Sequence, residues 1–190
     1  MCCQFAGICY NIGVVTENHQ KKSFILFRIK PDKGVFGRYI MEVLYGELAD
    51  IDLWMKLVKK VSWNFPGLET MESIEEHKQT VMRFMSDKRA LCIKLDGIIV
   101  GVLLFSKKHN MICCLAVDPE YRKQGIASAL LEKALDELDR RKDITVSTFR
   151  ENDVKGIAPR KLYKKYGFVE EELIEEFGYP NQKFVLHPHP

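Results

Sequence analysis

Residues 115–134, LAVDPEYRKQGIASALLEKA, gather the residue types best able to hold a phosphorylated ligand. A short apolar run ends in Asp118-Pro119. A basic turn with one glycine follows, Arg122-Lys123-Gln124-Gly125-Ile126-Ala127, and an amphipathic helix pattern begins there. A helix start offers N–H groups without intrahelical partners and a partial positive charge. Gly125 lets the backbone approach a phosphate closely, and the small Ala127 lets the helix start sit near the ligand or the sheet. Successive N–H groups from Gln124 onward can converge on a pyrophosphate, with Arg122 and Lys123 adding charge. The same residues also make a basic loop before an ordinary helix, and a lone six-residue pattern does not separate the two. Two placements favour the functional reading: the turn follows a strand pattern, and a second compact motif, residues 163–168 (YKKYGF), lies downstream.

The elements that must position these residues follow from periodicity. Residues 39–45 read as a strand closed by Gly46. Residues 48–61 read as a helix with Leu48, Ile51, Leu53, Trp54, Leu57, Val58 and Val61 on one face, and 72–87 as a second helix. An aromatic loop, Trp63-Asn64-Phe65-Pro66-Gly67-Leu68, joins them. Strands follow at 90–95, 98–106 and 111–117, the first pair joined at Asp96-Gly97, a tight hairpin signal. Residues 124–141 give the helix after the basic turn, with Ile126, Ala127, Leu130, Leu131, Ala134, Leu135 and Leu138 as its buried stripe. A strand at 144–149, a short helix at 159–166 stopped by Gly167, and strands at 168–177 and 183–186 complete the order. Hairpins mixed with crossover helices predict an α/β fold, a mixed sheet with helices on both faces. Residues 1–38 stand apart as an N-terminal extension to a domain over 39–190. Extra strands and a poorly ordered tail both fit them.

Composition narrows the function classes. With 46% apolar and 29% charged residues, the chain is an ordinary globular one. A net charge of +3 excludes the strongly basic surface of a nucleic-acid binder, yet leaves room for a local phosphate site. Cys2, Cys3, Cys9, Cys92, Cys113 and Cys114 form no C-x-x-C pair and have no matching His spacing, so no metal site is expected. Reduced, buried thiols favour the cytoplasm. The apolar start lacks the charge order of a signal peptide, and no stretch reaches membrane-spanning length without charge.

Arg122, Gly125 and Ala127 match the acyl-CoA motif Q/R-x-x-G-x-G/A, and Leu162, Tyr163, Gly167 and Phe168 match L-Y-x-x-x-G-F. With both motifs in order, residues 39–187 resemble the GNAT superfamily of N-acetyltransferases. The resemblance implies a mostly antiparallel central sheet of about seven strands flanked by helices. Two central parallel strands, here Met111–Val117 and Ile144–Phe149, would splay to admit the pantetheine arm of acetyl-CoA. Backbone groups of Leu115, Ala116 and Val117 would pair with it as with an added strand. Arg122, Lys123, Gln124, Gly125, Ile126 and Ala127 would hold the pyrophosphate, with Ser128 adding a hydroxyl and Asn152 a further cofactor contact or simply a turn. Tyr163 would protonate the departing thiolate, or else pack as an ordinary helix tyrosine, and the Val117 N–H would stabilise the oxyanion.

The implied activity is acetyl transfer from acetyl-CoA, as cosubstrate, to a primary amine of a small molecule or peptide by direct attack. The alternative is a non-catalytic acyl-CoA sensor, because Met111-Ile112-Cys113-Cys114 puts no carboxylate where some members carry a glutamate base. Glu69, Glu72 and Glu120 are substitutes that read equally as surface carboxylates. Trp54, Trp63, Phe65 and Leu68 would line an acceptor pocket or fill the core. An edge strand near the C-terminus would serve a homodimer.

Overall fold

The computed structural model describes residues 24–28 and 38–188. Strand β1 (Phe24–Arg28) pairs antiparallel with β2 (Arg38–Tyr45). Expectations for the rest of residues 1–37 lie outside the described residues. The chain continues through α1 (Ile51–Val61), α2 (Met71–Ser86), β3 (Ala90–Leu95), β4 (Ile98–Ser106) and β5 (Met111–Val117). Then come α3 (Ile126–Glu137), β6 (Ile144–Phe149), α4 (Ile157–Lys165), β7 (Val169–Glu176) and β8 (Tyr179–Leu186).

The strands form one sheet in the order β1-β2-β3-β4-β5-β6-β8-β7. The seven strands from β2 on make the expected mixed sheet, antiparallel throughout except where β5 runs parallel to β6. Alternation along the strands sends side chains to two cores. Ile93, Leu103, Phe105, Ile112, Val146 and Phe184 pack with α3 and α4 residues such as Leu130, Leu131 and Tyr163. Cys92, Val102, Leu104 and Ala116 pack with Trp54, Val58 and Val61 of α1 and Val81 and Met85 of α2.

One irregularity in β5 shapes the centre of the molecule. Leu104 of β4 pairs with Cys114, but the next residue, Phe105, pairs with Ile112, so Cys113 is an extra residue on β5. Such a bulge bends its strand and sharpens the local twist. Pairing between β5 and β6 covers only Met111↔Thr145 and Ile112↔Val146 and stops where the bulge sits. Beyond it β6 keeps company with β8 through Phe149↔Asn181. The two parallel strands therefore part after two residue pairs and leave a wedge between Cys114–Val117 (residues 114–117) and residues 147–149.

Helix α3 is held against the sheet at both ends. Gly101 of β4 has no room for a side chain, since an added Cβ would lie 2.4 Å from Ile126 Cγ2. The missing Cβ lets the first turn of α3 sit directly on the strand. At the far end Glu137 accepts hydrogen bonds from Tyr45 of β2, Lys107 and Lys133. Burial alone would raise its carboxyl; these three donors and the Lys107 charge instead hold it at about 2. A depressed native pKa stabilises the fold above the ordinary carboxyl value, and that contribution is lost as pH falls from there toward 2. Glu137→Gln is therefore expected to cost about 2–3 kcal/mol at pH 7 and progressively less toward pH 2. Urea denaturation at several pH values measures this; an equal cost at every pH would rule out the charge as its source.

Candidate active site

The basic turn has the geometry that its residues suggested, with α3 shorter than its periodicity implied. Gly125 is left-handed (φ +80°) and cannot continue a helix, so α3 begins at Ile126 rather than 124; Leu138 is extended and ends it at Glu137 rather than 141. Lys123 also lies at positive φ (+61°), a costly conformation for a residue with a side chain. The first intrahelical bond is Ala129 N–H to Gly125 O at 2.9 Å, which leaves the N–H groups of Ile126, Ala127 and Ser128 without helix partners. No side chain caps this end, and no acidic residue occupies the first turn. Arg122 and Lys123 are exposed and make no ion pair among the described residues. Gln124 Oε1 is buried without a hydrogen-bond partner among the described residues and remains open to a ligand donor. Ser128 faces differently: its hydroxyl hydrogen-bonds Tyr166, just past the end of α4, which also binds Glu132.

The wedge begins directly before this turn. Asp118 N–H donates to Val100 O at 2.9 Å, which fixes the alternation of the β4–β5 ladder. Ala116 and Val102, and Cys114 and Leu104, are then the directly bonded pairs. Leu115 and Val117 turn their N–H and C=O groups to the other edge, where β6 has departed, while the Ala116 backbone is occupied by β4. On the facing strand, Thr145 N–H donates to Asn110 O at 3.1 Å. By the same alternation Ser147 and Phe149 point their backbone groups into the wedge. Asp118 closes its mouth: the carboxylate is buried, accepts the Glu120 N–H at 3.0 Å, and pairs with Lys60 of α1 at 2.8 Å.

Tyr163 enters from the α4 side, 4% exposed, with its ring against Phe168 and Phe184. Its hydroxyl has no hydrogen-bond partner among the described residues, and the Cys114 thiol is near enough to act on its charge. Burial pushes the phenol well above its ordinary value, with a smaller push from Cys114. Burial likewise pushes the Cys114 thiol up to about 12, so it is neutral at physiological pH. Cys113, at the bulge, is exposed rather than buried. Asn152 is exposed in the turn after β6 and makes no hydrogen bond among the described residues.

The opposite face of the sheet, beyond the cover of α1 and α2, carries a second group of residues. Phe149 and Tyr179 meet edge to face at 5.4 Å, and Lys155 Nζ lies 5.6 Å from each ring. Lys155 Nζ also reaches Trp63 O at 3.4 Å, and Tyr179 donates to Asp153 at 2.6 Å. Ser147 Oγ donates to Glu176 Oε1 at 3.2 Å. The loop between α1 and α2 borders this face: Gly67 packs against the Phe177 side chain. Trp63 is 62% exposed here, whereas Trp54 is 1% exposed and belongs to the α1–α2 core, because α1 turns it inward against Gly46 and Met85. Phe65 and Leu68 are half-buried against the same core. Sequence reasoning missed Ser147, Glu176 and Tyr179, which carry no motif and come together only through strand register.

Comparison with known proteins agrees with this architecture. Residues 86–170 match the family model of the acetyltransferase (GNAT) domain. No curated protein matches the sequence. Among solved structures, a GNAT-family acetyltransferase from Bacillus cereus superposes with a TM-score of 0.62 at 20% identity, covering 80% of this chain and 100% of that one. YncA from Salmonella typhimurium, solved with its cofactor acetyl-CoA, gives 0.62 at 14% identity, covering 78% and 94%. The PaiA N-acetyltransferase from Thermoplasma acidophilum, in complex with coenzyme A, gives 0.56 at 16% identity, covering 75% and 97%. At these identities the likeness is one of fold.

Proposed function

We propose that this chain, whose residues 86–170 match the acetyltransferase (GNAT) domain model, moves an acetyl group from acetyl-CoA to a primary amine by direct attack. The observation that carries the reading is the wedge, where Leu115 and Val117 turn unpaired backbone groups toward a gap that ends at an uncapped helix start. A pantetheine arm has amides spaced to bond those two residues as an added strand would. The pyrophosphate then meets the N–H groups of Gln124, Gly125, Ile126, Ala127 and Ser128, with Arg122 and Lys123 supplying charge. Asn152, in the turn after β6, contacts the cofactor from the other side.

The chemistry follows from what surrounds the thioester. A neutral amine attacks the carbonyl carbon, and the Val117 N–H receives the developing oxyanion. As the C–S bond breaks, Tyr163 gives its proton to the thiolate. A Cys114 thiol held near 12 is no nucleophile at neutral pH, which favours direct attack over an acyl-cysteine route. The acceptor side would be the open face bordered by Trp63, Phe149 and Tyr179. A homodimer would add along β7, the outer strand at that end of the sheet. The unpaired thiols Cys92, Cys113 and Cys114 fit a reducing cytoplasmic setting, and no helix among the described residues is long and apolar enough to cross a membrane.

Calorimetric titration with acetyl-CoA, followed by CoA release across a panel of primary amines, tests the reading. Saturable binding with release for at least one amine is expected. Binding without release from any amine would instead fit the acyl-CoA sensor, and no binding would remove both.

A further inference from the structure

Direct attack needs an uncharged acceptor nitrogen, yet β5 offers no carboxylate at Met111, Ile112, Cys113 or Cys114 to take the proton. The three carboxylates suggested by sequence position are otherwise placed. Glu120 is bound to Lys60 at 2.9 Å, Glu69 accepts the Gly67 N–H, and Glu72 is exposed in the first turn of α2.

Strand register brings a different carboxylate to the wedge. Ser147 is the first β6 residue past the last parallel pair, Ile112↔Val146. Ile144 and Val146 point into the α3–α4 core, so Ser147 points to the opposite, open face. There its hydroxyl binds Glu176 at 3.2 Å. Glu176 closes β7 in register with Tyr179, and its side chain reaches across β8 to β6. It is half-buried, and no cation pairs with it among the described residues. Earlier along β7, Glu170 pairs with Arg160 and Lys164, and Glu171 and Glu172 share Lys183. The face already tolerates an ammonium, since Lys155 Nζ sits over the Phe149 and Tyr179 rings. Tyr163 approaches the wedge from the other face.

We infer that Glu176 is the general base of the transfer, with Ser147 as the positioning residue that holds its carboxylate at the wedge, and that the acceptor is a cationic amine arriving on the Phe149–Tyr179 face; this rests on the acetyl-transfer reading. Glu176 takes one proton from the ammonium and frees the nitrogen lone pair. The N–C bond forms while the carbonyl electron pair moves to oxygen. When that pair returns, the C–S bond breaks and the thiolate takes the Tyr163 proton. The second proton lost by nitrogen restores the phenol, and Glu176 passes its own proton to solvent. One proton is released per acetyl group moved.

Glu176→Gln tests the assignment with phenethylamine, 1,4-diaminobutane and a free-amine tripeptide as charged probes. Methoxyamine, uncharged at neutral pH, serves as the probe that needs no base. The variant is expected to lose roughly 100-fold in kcat/KM on the charged amines at pH 7. Its rate with methoxyamine and its acetyl-CoA Kd should stay within about threefold of the parent. Ser147→Ala should show the same split with a smaller loss, and it serves if the first variant does not fold. An equal loss on methoxyamine, or no loss on charged amines that the parent acetylates, overturns the role of Glu176 alone. A parent that binds acetyl-CoA but acetylates none of the probes overturns the transfer reading with it.

Discussion

Replacing Tyr163 with Phe is expected to lower kcat roughly tenfold to thousandfold while acetyl-CoA affinity stays nearly unchanged. The ring contributes packing against Phe168 and Phe184 that Phe reproduces, so the fold and the cofactor site should survive. What disappears is one hydroxyl with no hydrogen-bond partner among the described residues, beside a wedge in which a thiolate would have to leave. Burial holds this phenol above its ordinary value, so it stays protonated through the physiological range. It is thus a standing donor to negative charge that grows on sulfur late in the reaction. A group that acts only as the bond breaks should register in kcat, not in binding. The raised pKa also predicts that the parent shows no falling alkaline limb from this group below pH 10. Steady-state kinetics with calorimetric Kd values measure both; an unchanged kcat would return Tyr163 to a packing role.

Gly125→Val is expected to weaken acetyl-CoA binding on the order of 100-fold, or about 3 kcal/mol. Two costs combine. At φ +80° a β-branched residue is strained by more than the roughly 1–2 kcal/mol that any side chain suffers there, so the turn must distort to relieve it. The new methyl groups also enter the space that a phosphate needs to reach the N–H groups of residues 125–128. Gly125→Ala should fall between the parent and Val. The turn is at the surface and the core residues beneath it are untouched, so circular dichroism should be unaltered. Calorimetry showing full affinity in the Val variant would mean that the turn holds no phosphate.

How much of this could be read from sequence depended on whether the signal was local. Strands β3, β4, β5 and β6 fall where their apolar runs place them, because each run is bounded by turn residues or charges. Strand β8 begins four residues before its apolar pattern, at Tyr179, with Pro180 inside it. Pairing with β6 starts only at Asn181, so the absent N–H of Pro180 costs the ladder nothing on that side. The basic turn before α3 was legible as a turn and helix start because glycine, charge and helix start are consecutive. Ala116 could not be separated from Leu115 and Val117 without the β4 register that occupies its backbone. Trp54 was ambiguous because an aromatic on a helix stripe looks the same whether it lines a pocket or fills a core. The run of glutamates in β7 read as a solvated face, and mostly it is ion-paired; that Glu176 crosses β8 to Ser147 depends on three strands at once.

The bulge at Cys113 has a consequence for how this protein can change over time. What the wedge requires there is a count, not a chemistry: the side chain is exposed and its thiol makes no hydrogen bond among the described residues. Any residue that tolerates the bend can stand at that position. Losing the residue outright is another matter: Ile112 and Cys114 would become neighbours opposite Phe105 and Leu104, the ladder would run regular, and β5 would lose the bend that parts it from β6. Substitution at this point is therefore cheap and deletion is forbidden, so an inherited strand length guards the opening more strictly than the identity of any residue within it.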